Sequence, residues 1–194
     1  MFFKVLLPVT LAFSMSACVS IHAYTSPSHQ KHPKSELKIP AQPFALRVEA
    51  DFSRNGTPLP NVNPLLLANI EQSLKNSRVA VPMAQAEHTF KVSANNIANP
   101  RGAVGQGLAT GLTLGMAGST TQDGYEFVCR YADRNKILSS ETYPHAIIAT
   151  IGNTAPPSGL TVQSNLQTAF TQVTDDIVTN CLVDLQKKGY LLPE

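Results

Sequence analysis

The side chains best suited to chemistry in this 194-residue chain are its three cysteines and five histidines. Hydrolysis would need a nucleophile, a base and a group that orients the base, and a zinc site would need three or four ligands. The sequence has no CxxC pair and no cluster of cysteine with histidine. We therefore expect a protein that is not an enzyme and that holds no metal and no cofactor.

The positions of the histidines support that expectation. His22, His29 and His32 fall in a segment rich in Ser, Pro, Gln and Lys, where a metal site is conceivable but a solvated linker is favoured. His88 is the histidine best placed for chemistry, yet no serine or cysteine nucleophile is positioned for it. A residue at the edge of the core is the commoner explanation for such a histidine. His145 is the other histidine of the predicted folded domain.

Cys18 stands directly behind an export signal. Lys4 precedes an apolar run, residues 5–15, that is too short to stay in a bilayer as a spanning anchor. The run ends in Met15-Ser16-Ala17-Cys18, which resembles the bacterial lipobox, whose cysteine receives a diacylglycerol and becomes the new N-terminus. The resemblance implies a lipoprotein signal peptide of residues 1–17 and a lipid-anchored Cys18 with its acyl chains in a membrane.

Two further features bear on how this signal is processed. In the lipoprotein pattern an aspartate after the cysteine favours the inner membrane, so Val19 indicates the bacterial outer membrane, with the protein facing the periplasm. An ordinary signal peptidase could instead cut after Ala23, because Ile21-His22-Ala23 is an acceptable site. That cut would release a soluble periplasmic protein.

Charge and cysteine content limit the partners and the compartment. Without the signal the net charge is near +1, which gives neither a basic field for nucleic acid nor an acidic trap for cations. With Cys18 lipidated, Cys129 and Cys181 remain, and in an oxidising periplasm they predict a disulfide. Cys129 lies on the apolar face of a predicted strand, and Cys181 lies on the apolar stripe of the last predicted helix. Two buried free thiols are the alternative.

The chain divides into a tether and one folded domain. Residues 18–43 show no hydrophobic period and predict a flexible tether that spans roughly 25–30 Å. Residues 44–194 carry the periodic patterns of the domain. The patterns predict strands at 44–52, 87–97, 125–131 and 137–151, and helices from about 63 to 76 and from 162 to 188. Asn63 is the expected N-cap of the first helix, and Pro144 predicts an edge position or a bulge in the last strand.

This order of elements implies an α+β domain: a single mostly antiparallel sheet with two helices on one face, plus a Gly-rich apolar insert. The spacing resembles the amino-terminal domain of TolB and the auxiliary lipoproteins of envelope ABC-type lipid transporters. In those proteins a short apolar piece and a strand opened by an Ala-acid pair follow the first helix, as residues 79–81 and Ala86-Glu87 do here. The likeness covers about residues 44–191, carries no catalytic residues and does not include the insert.

The insert has the most unusual composition in the chain. Residues 102–122 carry no charge, and residues 102–118 hold six of the eleven glycines. Read at period four, the segment forms a GxxxG ladder that would let two helix backbones approach closely. Read at period two, it matches a strand that crosses a bilayer, and a loop covering the sheet is the third possibility. The residues expected to make contacts are Gly107, Gly111, Gly115, Leu108, Leu112 and Leu114.

These observations predict a non-enzymatic cell-envelope lipoprotein. It would act as a binding or assembly subunit of an envelope transport or surface-structure system, with an envelope protein partner or by self-association. The alternative is an oligomeric pore or membrane-inserting component that works through residues 102–118. A periplasmic hydrolase is the least favoured class, because the sequence offers no catalytic set.

Overall fold

The computed structural model describes residues 21–97, 119–152, 154–155 and 158–193, which contain eight strands and two α-helices. The strands are β1 (Ile21–Thr25), β2 (Phe44–Arg54), β3 (Thr57–Pro58), β4 (Ala80–Pro82), β5 (His88–Ile97), β6 (Ser119–Asp133), β7 (Lys136–Ile151) and β8 (Thr161–Gln163). The helices are α1 (Asn63–Ser77) and α2 (Leu166–Lys187). Three short 3-10 helices lie at Pro27–His29, Lys34–Glu36 and Pro60–Val62.

The strands form one sheet in the order β3-β2-β5-β6-β7-β1-β8, with β4 beside β2. Strand β2 runs parallel to β4 and β5, and the other described pairs are antiparallel. Both helices pack on one face of this sheet and contact each other. The predicted α+β class, a mostly antiparallel sheet with two helices on one face, is confirmed. Of the Gly-rich insert, residues 102–118 lie outside the described residues, and residues 119–122 form the start of β6.

The core lies between the sheet and the helices. Alternation along the strands places one apolar face against the helices, and three- and four-residue spacing places the apolar stripe of each helix against the sheet. The largest fully buried side chains are Leu46, Leu66, Ile70, Leu74, Val79, Phe90, Val92, Phe127, Val173, Ile177, Val178 and Leu182. Each contributes about 1.5–3 kcal/mol relative to an exposed position, so this layer supplies most of the driving force for folding.

The central strands follow the predicted pattern, with two refinements. Strand β6 begins six residues before the predicted start, and its first residues pair with the end of β7. Pro144 pairs with Glu126 of β6, whereas β1 covers β7 only from Ile147 onward. The proline therefore sits where β7 has a neighbour on one side only, which is the predicted edge position.

Both helices begin differently from the prediction. Asn63 is the first residue of α1, and its Oδ1 accepts a hydrogen bond from the backbone N–H of Phe52 at 2.7 Å instead of capping the helix. Helix α2 begins at Leu166 because Thr161–Gln163 pairs with β1 as strand β8. Asn165 is the N-cap of α2, and its Oδ1 accepts from the backbone N–H of Thr168 at 2.8 Å.

The prediction of a flexible tether over residues 18–43 is wrong from Ile21 onward. Ile21–Thr25 is strand β1, which lies between β7 and β8, and Ala23 is 1% exposed. Residues 26–43 continue along the helix side of the domain and place a buried His32 against α2. The composition of the segment is that of a disordered chain, but polar side chains of α2 supply the hydrogen bonds that hold it.

Candidate functional site

Some of the residues predicted from the sequence to anchor the protein or to bind a partner lie outside the described structure. Cys18 and the interaction segment, Gly107 to Gly115 with its leucines, lie in the residues that are not described. The structure describes the points where these parts join the domain. Strand β1 begins at Ile21, three residues after Cys18, while β5 ends at Ile97 and β6 begins at Ser119.

Cys129 and Cys181 are joined in a disulfide. Cys129 points from β6 towards the helices, and Cys181 lies on the buried stripe of α2, with 6.3 Å between the two Cα atoms. Both residues are at most 6% exposed. The bond ties the centre of the sheet to the second half of the C-terminal helix, as expected for a domain that folds in an oxidising compartment.

A segment that we name the N-terminal strap, residues 29–38, lies along the second half of α2. His32 is 7% exposed, and its backbone N–H donates to Asn180 Oδ1 at 2.9 Å. Asn180 is fully buried and its amide also donates to the carbonyl of His29 at 3.4 Å. A buried asparagine without such partners would carry an unfavourable desolvation cost, so the strap and the helix stabilise each other.

Asp184 is the centre of the strap contacts. Its Oδ2 accepts from Tyr143 Oη at 2.7 Å and from Lys31 Nζ at 2.9 Å. Its Oδ1 lies 3.0 Å from His32 Nε2. Burial alone would raise the pKa of Asp184, but the hydrogen bonds from Tyr143, Lys31 and His32 outweigh it and lower the pKa. The pKa of Tyr143 is raised, by burial first and then by its bond to Asp184. The aspartate is therefore ionised and joins β7, α2 and the strap.

Charge pairs and one amide complete the attachment at both ends of the strap. Lys34 pairs with Asp175 at 2.6 Å, and Lys187 pairs with Glu36 at 2.9 Å. The Gln186 side chain accepts from the backbone N–H of Lys38 at 2.9 Å and donates to its carbonyl at 2.6 Å. This two-way amide contact mimics a strand pairing and fixes the register of the strap on the helix.

A second polar pair lies at the start of the strap. His145 and Asp176 are 2% and 5% exposed, and His145 Nε2 lies 3.3 Å from Asp176 Oδ2. His145 Nδ1 lies 2.8 Å from the backbone nitrogen of Ala146 and 3.2 Å from its carbonyl oxygen. The His29 ring packs on His145 at 5.0 Å, and burial followed by the neighbouring His145 lowers the pKa of His29. Both nitrogens of His145 are engaged, which makes it a link between β7 and α2.

His88, the histidine that the sequence placed best for chemistry, packs against an aromatic ring. His88 stacks on Tyr131 at 5.4 Å near the sheet end that holds the β6–β7 turn. None of the helices in the described residues is long and apolar enough to cross a membrane. Across the same ranges, no three side chains of His, Cys, Asp or Glu lie close enough together to hold a metal ion.

The strap contacts were missed by sequence reasoning, although a signal exists. Polar residues recur at every fourth position beside the apolar stripe of α2, at Gln172, Asp176, Asn180 and Asp184, and the spacing continues to the C-cap Lys188. Such a stripe is usually solvated, but Asp176 and Asn180 are buried here. A polar stripe next to an apolar one on a long helix can therefore mark the seat of another segment of the chain.

Similarity to known proteins is confined to solved structures. No protein-family model matches the chain, and no curated protein matches its sequence. Protein XCC0632 from Xanthomonas campestris, described with the family DUF330, is 13% identical and aligns with a TM-score of 0.38 over 78% of this chain and 93% of its own. A PelC dodecamer from Paraburkholderia phytofirmans is 11% identical and aligns with a TM-score of 0.37 over 87% of this chain and 97% of its own. The resemblance to the TolB amino-terminal domain and to transporter auxiliary lipoproteins stays a prediction from the sequence.

Proposed function

We propose that this chain is a non-enzymatic lipoprotein of the bacterial cell envelope, anchored through Cys18 in the outer membrane and facing the periplasm. It serves as a binding or assembly subunit of an envelope transport or surface-structure system. The signal pattern of residues 1–18 supports the anchor, and the Cys129–Cys181 disulfide fits a protein of the periplasm. The polar contacts described above join the strap and β7 to α2.

The observation that carries the proposal is the position of Ala23. A cut after Ala23 would remove Ile21, His22 and Ala23 from β1, where they pair with Ile151, Thr150 and Ala149 of β7. A cut before Cys18 leaves the whole strand in the mature chain. The fold therefore favours the lipoprotein route over the ordinary signal peptidase route.

Replacing Cys18 by serine tests the anchor. Cys18→Ser is expected to abolish metabolic labelling with palmitate and to leave a precursor that keeps residues 1–17, because serine offers no thiol for the diacylglycerol. Several acyl chains, at about 0.8 kcal/mol per buried methylene, are enough for stable attachment to a membrane. Ser20→Ala, two residues away, is the matched control and should be labelled and processed normally. Undiminished labelling of Cys18→Ser would refute the proposal.

The glycine ladder favours a second function, an oligomeric pore or membrane-inserting component. If Gly107, Gly111 and Gly115 allow a close approach of two backbones, Gly111→Leu should dissociate the oligomers while the domain stays folded. Gly111→Ala is the control, because a small residue preserves the approach. Sedimentation of wild type, Gly111→Leu and Gly111→Ala in one detergent measures the mass of each protein. An unchanged mass for a folded Gly111→Leu variant would exclude this second function.

A further inference from the structure

The register of the sheet places several chain segments at one end of the molecule. Ile21, the first residue of β1, pairs with Ile151, and Ile151 also pairs with Ser119 on its other side. Strand β8 is antiparallel to β1 with Gln163 opposite Ala23, so the chain continues from Gln163 towards the Ile21 end and starts α2 at Leu166. We name this the anchor end: the starts of β1 and α2, the end of β7 and strand β8.

The anchor end lies within reach of the membrane if Cys18 is lipidated, a condition that rests on the proposed function. Ile21 follows Cys18 by three residues, and three fully extended residues span at most about 11 Å. The predicted tether of 26 residues would have let the domain float clear of the lipid headgroups. The strand that begins at Ile21 instead holds this end of the domain at the bilayer surface.

The composition of the anchor end matches such a location. Its exposed apolar side chains are Ile21, Val162 and Leu166, which are 56%, 68% and 47% exposed. The described residues of its elements, 21–30, 146–152, 154–155 and 158–174, contain no Asp, Glu, Lys or Arg, and neither do residues 119–122 at the adjoining start of β6. The ion pairs of the strap lie towards the other end of α2, between Asp175 and Lys187. A charged side chain pressed against a bilayer interface would lose hydration at a cost in free energy. The described residues of this surface carry no such side chain.

We propose that the anchor end is a membrane-docking surface, which seats Ile21, Val162 and Leu166 in the interface of the bilayer that holds the Cys18 lipid. The lipid anchor brings the surface to the membrane, and the apolar side chains then fix the orientation of the domain. The sheet stands away from the membrane, with the β6–β7 turn at its far end. A lipid surface is the occupant that the short connection to Cys18 favours over a protein.

Tryptophan fluorescence tests the docking, because the chain has no tryptophan of its own. Val162→Trp places a single fluorophore on the surface, and Leu166→Trp is a second variant should the first fail to fold. Ile137→Trp is the matched control, since Ile137 is 59% exposed and lies on β7 about 46 Å from Ile151 at about 3.3 Å per residue. The full lipidated proteins are reconstituted into phosphatidylethanolamine and phosphatidylglycerol vesicles with and without a brominated phosphatidylcholine.

We expect the brominated lipid to reduce the emission of Val162→Trp at least twofold and to leave Ile137→Trp unchanged. Equal quenching of the two would overturn the docking surface. Emission of Val162→Trp that is blue-shifted but not quenched would mean that protein, such as a second copy, covers the surface, and would also overturn it. Flotation of the vesicles is read in parallel. Protein that fails to float refutes the anchor itself, whereas protein that floats without selective quenching refutes only the docking.

Discussion

Reducing the Cys129–Cys181 disulfide is expected to lower the free energy of unfolding by about 4 kcal/mol. The bond joins residues 52 positions apart, and the chain-entropy model gives this value for a closed loop of about that length. The loop includes β7 and most of α2, so its closure restricts a large part of the unfolded chain. Urea unfolding of the protein with and without a reductant measures the difference.

The control for this experiment is the Cys129→Ala/Cys181→Ala double variant. Its stability should not respond to the reductant and should lie near or below that of the reduced protein, because the variant also loses buried sulfur atoms. Counting thiols in the denatured, unreduced protein gives an independent reading. No free thiol is expected once Cys18 is lipidated, and finding two would contradict the bond.

Asp184→Asn is expected to release the N-terminal strap and to destabilise the domain by about 2 kcal/mol. The carboxylate accepts from Tyr143, Lys31 and His32, and an amide offers one acceptor and a competing donor in its place. Hydrogen bonds to charged groups are worth about 1.5–3 kcal/mol. Two of the three donors left behind, Tyr143 and His32, are buried. Trypsin should cut at the lysines of the strap on the order of 30-fold faster, since 1.4 kcal/mol is a factor of ten.

The pH dependence of the strap follows from the same group. The pKa of Asp184 is lower in the folded state, so its stabilisation is fully present above the pKa of an unfolded aspartate, about 3.9, and is lost as the pH falls through the folded value. The difference in unfolding free energy between wild type and Asp184→Asn should therefore become smaller below about pH 4. Asp51→Asn is the control, because Asp51 is exposed and its pair with Lys91 should contribute little. Equal trypsin rates for Asp184→Asn and wild type would refute the role of Asp184.

The sequence predicted the parts of the fold that depend on local periodicity. Alternating residues in β2 and β5 and the apolar stripe of α2 each carry enough pattern to define an element and its buried face. The facing positions of Cys129 and Cys181 followed from the same two patterns. The position of Pro144 was limited to an edge or a bulge because proline cannot donate a hydrogen bond to a neighbouring strand, and the structure has the edge position.

The N-terminal part could not be predicted in the same way. Strand β1 has five residues, and its partner on β7 is more than 120 residues away, so no local pattern specifies the pairing. The strap is held by Asn180, Asp184 and Gln186, whose partners are backbone groups and long side chains of residues 29–38. Composition describes the average solubility of such a segment, whereas its structure depends on these few specific contacts. Asn63 is a similar case, because a contact with Phe52 outweighed its local preference for capping.

The mass of the N-terminal peptide of the mature protein tests the central claim most directly. The protein is extracted from membranes of a bacterium that processes lipoproteins and is digested, and the first peptide is sequenced by mass spectrometry. A lipoprotein anchored through Cys18 predicts a peptide that begins at Cys18 and carries a diacylglycerol with further acylation. A peptide that begins at Tyr24, or an unmodified Cys18 within a longer chain, would contradict the anchor and with it the proposed function.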